Sequence, residues 1–276
     1  MRGYRAMTNP MPGGTDRIRF GRVSLATGVS LHYADKGTKG KAPLVFLHGF
    51  VDSWRSFIKV IEFLAPGRRA IACDLRGHGD SDKPEGGYFL ADFTQDLLLF
   101  IDALGLDKAN LVGHSMGSFI AQSFAAIHPH RVERLVLIGS APYAVDNAAL
   151  LEVKPMIDAL HDPLERDFIS GFQATGDPVP AEFMDMIISE TMKVPARVWR
   201  SVFAGLLQVD LRPILHAVAA PTLIMWGNRD MIFTRRDQET LLSQIPDSML
   251  KEFDAGHALH WEKPKEVAAA LESFLY

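Results

Sequence analysis

Leu111-Val112-Gly113-His114-Ser115-Met116-Gly117 decides how this chain is read. The run from Asn110 to Val112 enters a G-x-S-x-G pentapeptide. A helix-period pattern follows at once in Met116, Phe119, Ile120, Ser123, Phe124 and Ile127, until Pro129 stops it. Strand, sharp turn and helix in direct succession lift a serine hydroxyl clear of a sheet edge. Backbone turned so tightly costs on the order of 1–3 kcal/mol and survives only where its surroundings enforce it. Gly113 and Gly117 keep Cβ atoms out of the gap between strand and helix. Ser115 is therefore the candidate nucleophile.

Upstream of that turn, residues 19–26 and 29–34 alternate around Thr27-Gly28 and predict an antiparallel hairpin near the sheet edge. Pro43 opens Leu44-Val45-Phe46-Leu47, a continuous apolar run of the kind buried in a parallel sheet, which ends in His48-Gly49-Phe50. Ser53 is the expected N-cap of a helix over 53–64. Residues 69–75 predict the next strand, closing in a loop over 74–81 that contains Asp74, Arg76, Gly77, Gly79 and Ser81. The following helix carries Phe93, Leu97, Phe100, Ile101 and Leu104 on one face and stops at Gly105.

Downstream, residues 135–138 predict another buried strand, and after Ser140-Ala141-Pro142 the rhythm breaks. Residues 143–219 contain no convincing strand. They predict four or five short helices punctuated by Pro155, Pro163, Pro178, Pro180, Pro195 and Pro213. Alternation resumes with a strand over 222–226, a helix over 235–244, a more polar strand over 249–253 and a last helix that buries Val267, Leu271 and Phe274. Repeated strand–helix units imply an α/β fold whose mostly parallel sheet is covered on both faces. The expected division is an N-terminal extension over 1–18, a core over 19–142 and 220–276, and a helical block over 143–219 inserted into it.

Composition narrows the function. With 47% hydrophobic and 22% charged residues, the 276-residue chain has the balance of a soluble globular protein. A net charge of −4 supplies no basic patch for nucleic acid or a membrane surface, so the expected partner is a small molecule. The sequence carries no signal for an oligomeric state. Its single cysteine, Cys73, allows no intrachain disulfide and suits a reducing compartment. Without an apolar signal-peptide core near the N-terminus, a cytoplasmic location is expected. No run reaches the ~20 apolar residues that span a bilayer. No H-E-x-x-H or paired-cysteine spacing points to a metal, and no cofactor is expected. Cys73 lies inside a predicted strand and reads as a small core residue.

A serine hydroxyl needs a base within hydrogen-bond reach and a third group to orient that base. Ten histidines compete. His257 follows the last strand after Gly256, which brings its loop to the sheet edge that carries Ser115; His260 is its near rival. The orienting carboxylate should come from a strand end between serine and histidine. Asp230, three residues past Gly227, fits, whereas Asp254 reads as turn chemistry and Asp146 falls inside the helical block. The backbone N–H of Met116, at the helix start after the nucleophile, is a candidate oxyanion donor. Trp226 and Trp261, which border the acid and base loops, read as core packing.

The ordered set His48-Gly49-Phe50, Asp74-x-Arg76-Gly77-x-Gly79-x-Ser81, Gly113-x-Ser115-x-Gly117, Gly227-x-x-Asp230 and Gly256-His257 resembles the α/β-hydrolase family from about residue 20 to the C-terminus. The resemblance implies an eight-stranded, mostly parallel sheet with a helical cap over the carboxyl ends of the strands. It also implies Phe50 as the second oxyanion donor; without an HGGG run the chain departs from the lipase branch that uses one. Ser115 in place of aspartate separates it from epoxide hydrolases and haloalkane dehalogenases.

Within that family the expected activity is hydrolysis of carboxylic esters or lactones of small to medium apolar substrates through an acyl-enzyme. Perhydrolase or acyl-transfer chemistry and carbon–carbon bond hydrolysis on the same triad are alternatives. So is a ligand receptor or sensor that retains the triad. The cap offers Met156, Phe168, Phe172, Phe183, Met184, Met186, Met192 and Trp199 as apolar candidates. Tyr143, Phe172, Met184, Trp199 and Ile232 are taken as the substrate-binding set.

Overall fold

The computed structural model describes residues 17–38 and 42–275, so most of the expected N-terminal extension over 1–18 lies outside the described residues. In chain order the elements are β1 (Arg19–Ser24), β2 (Ser30–Lys36), β3 (Leu44–Leu47), α1 (Ile58–Glu62), β4 (Ala70–Cys73), α2 (Leu90–Ala103), β5 (Ala109–His114), α3 (Met116–Ile127) and β6 (Val132–Ile138). Four helices intervene: α4 (Ala148–Asp158), α5 (Arg166–Phe172), α6 (Ala181–Thr191) and α7 (Ala196–Leu206). Then come β7 (Thr222–Gly227), α8 (Arg235–Gln244), β8 (Ser248–Phe253), α9 (Leu259–Glu262) and α10 (Pro264–Leu275).

The strands form one eight-stranded sheet in the order β1-β2-β4-β3-β5-β6-β7-β8. Strand β2 pairs antiparallel with both β1 and β4, and every other pairing is parallel. The period of two in each strand sorts its side chains between two cores. Val45 and Leu47 of β3, Leu111 of β5 and Ile224 of β7 join Phe100, Phe119 and Phe124 on one face. Leu44, Phe46, Val112 and Met225 join Val60, Val267 and Leu271 on the other. All residues of β3, β4, β5 and β7 are buried, which is why these strands read as unbroken apolar runs rather than alternating ones.

The element expected over 53–64 differs in detail. Ser53 Oγ caps it by accepting from Arg55 N at 3.2 Å, but Trp54–Phe57 is a 3₁₀ turn before α1 begins. In three-residue periodicity Trp54 and Phe57 point the same way, and both are buried. Between β6 and β7 the chain holds helices α4 to α7, tied at their base by an isolated antiparallel bridge between Tyr143 and Asp210.

Candidate active site

The turn at Ser115 is as tight as its glycines predict. Ser115 has φ 50° and ψ −118°, a conformation costly for any residue with a Cβ. It is held by Ser115 N donating to Ile138 O at 3.0 Å and by Ser118 N and Oγ donating to Ser115 O at 2.9 and 2.6 Å. A Cβ on Gly113 would lie 2.3 Å from Gly117 O. The strand end therefore touches the first turn of α3, and only glycine fits.

Two loops at the same sheet edge bring up the other candidates. After β7, Asp230 N donates to Gly227 O, and Asp230 Oδ1 accepts from Ile232 N at 2.8 Å and Phe233 N at 3.1 Å. Its other oxygen, Oδ2, lies 2.8 Å from His257 Nδ1. That bond leaves Nε2 as the ring nitrogen open to another partner. His257 and Ser115 both line one cavity. Burial pulls the imidazole's pKa down, but the charge and hydrogen bond of Asp230, together with the charges of Asp52 and Glu262, outweigh it and hold His257 above the ordinary value of 6.5. Gly139, with φ 50°, makes room for this residue: a Cβ there would sit 2.8 Å from His257 O and 3.2 Å from its ring Nδ1.

The remaining histidines near the site are kept neutral. Burial lowers His48 to about 4; one ring nitrogen lies 2.8 Å from Gly49 O and the other accepts from Leu75 N at 3.0 Å. It braces the loop that ends in Phe50. His114 and His260 are pushed well below 6.5, first by burial and then by neighbouring imidazoles. His114 Nε2 lies 3.2 Å from His257 O, and His260 Nε2 lies 2.9 Å from Ser56 Oγ. His260 is therefore packed into a hydrogen-bonded layer behind the site. Asp254 is exposed and ion-pairs Arg229 at 3.0 Å, and Asp146 is exposed at φ 61°. Asp74 is the brace of its own loop, accepting from Trp54 N, Asp80 N and His32 Nδ1 at 2.8 to 3.0 Å.

The cavity holds about 850 Å³ and lies between this edge and the four-helix insert. Of the five residues taken from the sequence as substrate-binding, Phe172 and Ile232 line it, and Tyr143, Met184 and Trp199 do not. Trp199 is 0% exposed, donates from Nε1 to Val194 O, and packs edge-on behind Phe50 and Phe172. Met184 packs against the small cluster of Phe183, Ile187 and Trp261. Tyr143 is taken up by its bridge to Asp210 and by the Arg212 guanidinium 4.4 Å above its ring. Phe50 lines the cavity, and the N–H groups of Phe50 and Met116 take no protein acceptor among the described residues.

Several wall residues were not legible as such. Trp261 lines the cavity and donates from Nε1 to Ser56 Oγ, which goes beyond core packing. Glu262 lines it too, accepting from Gly256 N at 2.8 Å and Gly176 N at 3.2 Å; it straps the His257 loop to the insert. Asp52 and Gln173 face each other across the same boundary. In the sequence Asp52 looks like one more turn residue before the Ser53 cap, and Gln173 like an ordinary helix-end polar residue. Nothing in their spacing marks them.

Comparison with known proteins identifies the fold family. Residues 42–184 match the model of the alpha/beta hydrolase fold family. The chain is 30% identical to a 2-hydroxy-6-oxononadienedioate/2-hydroxy-6-oxononatrienedioate hydrolase of Pseudomonas putida, with 94% of each chain covered. It is 25% identical to a 3-oxoadipate enol-lactonase of Acinetobacter baylyi, covering 94% of this chain and 97% of the relative. Among solved structures, a hydrolase from Pseudomonas aeruginosa superposes with a TM-score of 0.82 at 26% identity, over 93% of this chain and 98% of that one.

Proposed function

Because the chain belongs to the α/β-hydrolase fold family, we propose that it is a serine hydrolase of small to medium, uncharged carboxylic esters or lactones, with Ser115, His257 and Asp230 as its triad. The observation that carries this reading is the bond from Asp230 to His257 Nδ1, made at the rim of the cavity that Ser115 also lines. Asp230 fixes the tautomer, so His257 Nε2 is the lone pair that takes the Ser115 proton as Oγ attacks the ester carbonyl. The N–H groups of Phe50 and Met116 receive the oxyanion. Loss of one such donor typically costs about 10²–10³ in turnover. His257 returns its proton to the leaving alkoxide, then activates the water that frees the acid and regenerates the Ser115 hydroxyl.

The helical block over 143–219 serves in this reading as a cap, and its contribution to the walls supports an apolar substrate. Leu150, Val153, Phe168 and Phe172 come from it. Among the described residues the cavity lining includes no lysine or arginine, while Asp52, Glu152, Asp167 and Glu262 contribute carboxyls. A dioate such as the one in the name of the Pseudomonas putida relative would meet no countercharge on these walls. That favours uncharged esters and lactones over dicarboxylate substrates for carbon–carbon bond cleavage.

A fluorophosphonate probe with peptide mapping, followed by a panel of p-nitrophenyl and alkyl esters and simple lactones, tests the reading. Labelling at Ser115 and multiple turnovers of neutral esters are expected. A Ser115→Ala protein that keeps full turnover would reject the scheme, and a single stoichiometric turnover would favour a receptor.

A further inference from the structure

One polar group on the cavity wall has no part in the proposed chemistry. Asp52, two residues past Phe50, is 3% exposed and shares the cavity lining with Ser115 and His257. Its Oδ1 accepts from Gln173 Nε2 at 3.1 Å and its Oδ2 from Ser56 Oγ at 3.2 Å. The Gly49 N–H also bonds the carboxyl, and of the four lone pairs on its two oxygens one remains. Gln173, on the insert, spends both N–H groups on Asp52 Oδ1 and on Thr191 Oγ1 at 2.8 Å. Its Oε1 has no protein partner among the described residues. The spare hydrogen-bonding capacity of these two side chains comes together two residues from the proposed oxyanion donor Phe50.

The protein accommodates this carboxyl with or without its proton. Ser56 Oγ has one proton and two lone pairs, and Trp261 Nε1–H occupies one lone pair at 2.9 Å. With Asp52 ionised, Ser56 donates to it and His260 donates from Nε2 to the second lone pair. With Asp52 protonated, the acid donates to Ser56, and Ser56 donates to His260 Nε2. Burial raises Asp52 to about 7 against the hydrogen bonds of Gln173, Ser56 and the Gly49 backbone and the charge of His257. The other titratable rings beside it, His114 and His260, stay neutral. A hydroxyl is the substrate group that suits both states, since it donates to a carboxylate and accepts from an acid.

We propose that Asp52 and Gln173 form a subsite that reads a hydroxyl carried close to the scissile carbonyl, which makes hydroxyacyl esters or their lactones the preferred substrates. The subsite rests on the serine-hydrolase reading given above. Asp52 acts in it as a specificity residue.

Methyl 3-hydroxybutyrate and methyl butyrate are the test pair, each rate divided by that ester's rate with free hydroxide. The wild type should favour the hydroxylated ester by about ten-fold in kcat/KM, the worth of one net hydrogen bond. Asp52→Leu should bring the ratio to near one, and Asp52→Asn, which can still donate and accept, should keep most of it. Gln173→Met, which removes the carboxamide from the insert side, should also lower it. Binding of the same two esters to Ser115→Ala protein, followed by NMR titration, reads the subsite without turnover. Equal ratios in the wild type, or an unchanged ratio in a folded Asp52→Leu protein, overturn the subsite while leaving the hydrolase reading intact. Selective binding to Ser115→Ala with no turnover by the wild type overturns the hydrolase reading and leaves the subsite standing.

Discussion

The carbonyl oxygen of Leu47 lies 2.1 Å from the point that a Cβ on Gly117 would occupy. The end of β3 is thus pressed directly against the first turn of α3, and backbone on both sides forbids a side chain. Gly117→Ala must push the two elements apart. Overpacking of this kind costs about 3 kcal/mol or more. For a chain of this size that lowers Tm by roughly 6–12 °C, measurable by calorimetry, with activity lost even where the protein remains folded.

Ser115 should behave as a strained residue as well as a reactive one. Its φ of 50° is within easy reach of glycine and costly for alanine. Ser115→Ala and Ser115→Gly are both expected to be inactive toward esters, falling by about 10⁴ or more in kcat. Ser115→Gly should nevertheless be the more stable of the two by about 1 kcal/mol. Denaturant melts of the two variants check this, and equal midpoints would show that the turn carries little strain.

His257 must be neutral to act as a base, and its pKa lies above 6.5. The kcat/KM for an uncharged ester should therefore fall about ten-fold per pH unit once pH drops below that value. Asp230→Asn removes the charge that raises the imidazole most, leaving burial opposed only by the charges of Asp52 and Glu262, and the acid limb should move to lower pH. The rate at the plateau should fall by about 10³–10⁴ because the tautomer is no longer fixed. Repeating the profile in Asp52→Asn protein separates the His257 limb from any titration of Asp52.

Asp52 carries a stability signature of opposite sign to an ordinary salt-bridged carboxylate. Its pKa rises from 3.8 to about 7 on folding, so between those values the folded state holds a proton that the unfolded chain has released. Stability from this group is full below pH 3.8 and is lost as pH rises through about 7, by at most about 4 kcal/mol. Asp52→Asn keeps the neutral shape at every pH. It is expected to melt higher than the wild type at pH 8 and at about the same temperature at pH 4. Parallel melting curves across that range would show that the carboxyl is not perturbed.

The parts of this molecule that could be read in advance are those governed by local backbone demands. β3, β5 and β7 are buried on both faces and so appear as apolar runs, and α8 falls on Arg235–Gln244 as its pattern predicts. Asp230 and His257 could be picked out because each follows a strand end by a glycine-bearing turn. The cavity walls could not. Trp199 and Phe172 are both aromatic residues on short amphipathic helices, and only the docking of α5 against α7 decides that Phe172 faces the cavity while Trp199 stands behind it. Asp52 is hidden for a different reason. A short acid before a helix start is common at turns, and its burial depends on a glutamine 121 residues away.

Phe50 is clasped edge-on by Phe172 and Trp199 and at a tilt by Phe203, with ring centroids 5.3 to 6.0 Å away, so the loop bearing one proposed oxyanion donor is held in place by the helical insert. Chimeras that graft a relative's lid onto this body would for that reason trade more than selectivity. Unless the three clasping aromatics travel with the transplant, a swapped lid should also cost catalytic power, because recognition and charge stabilisation are here built into one block of rings.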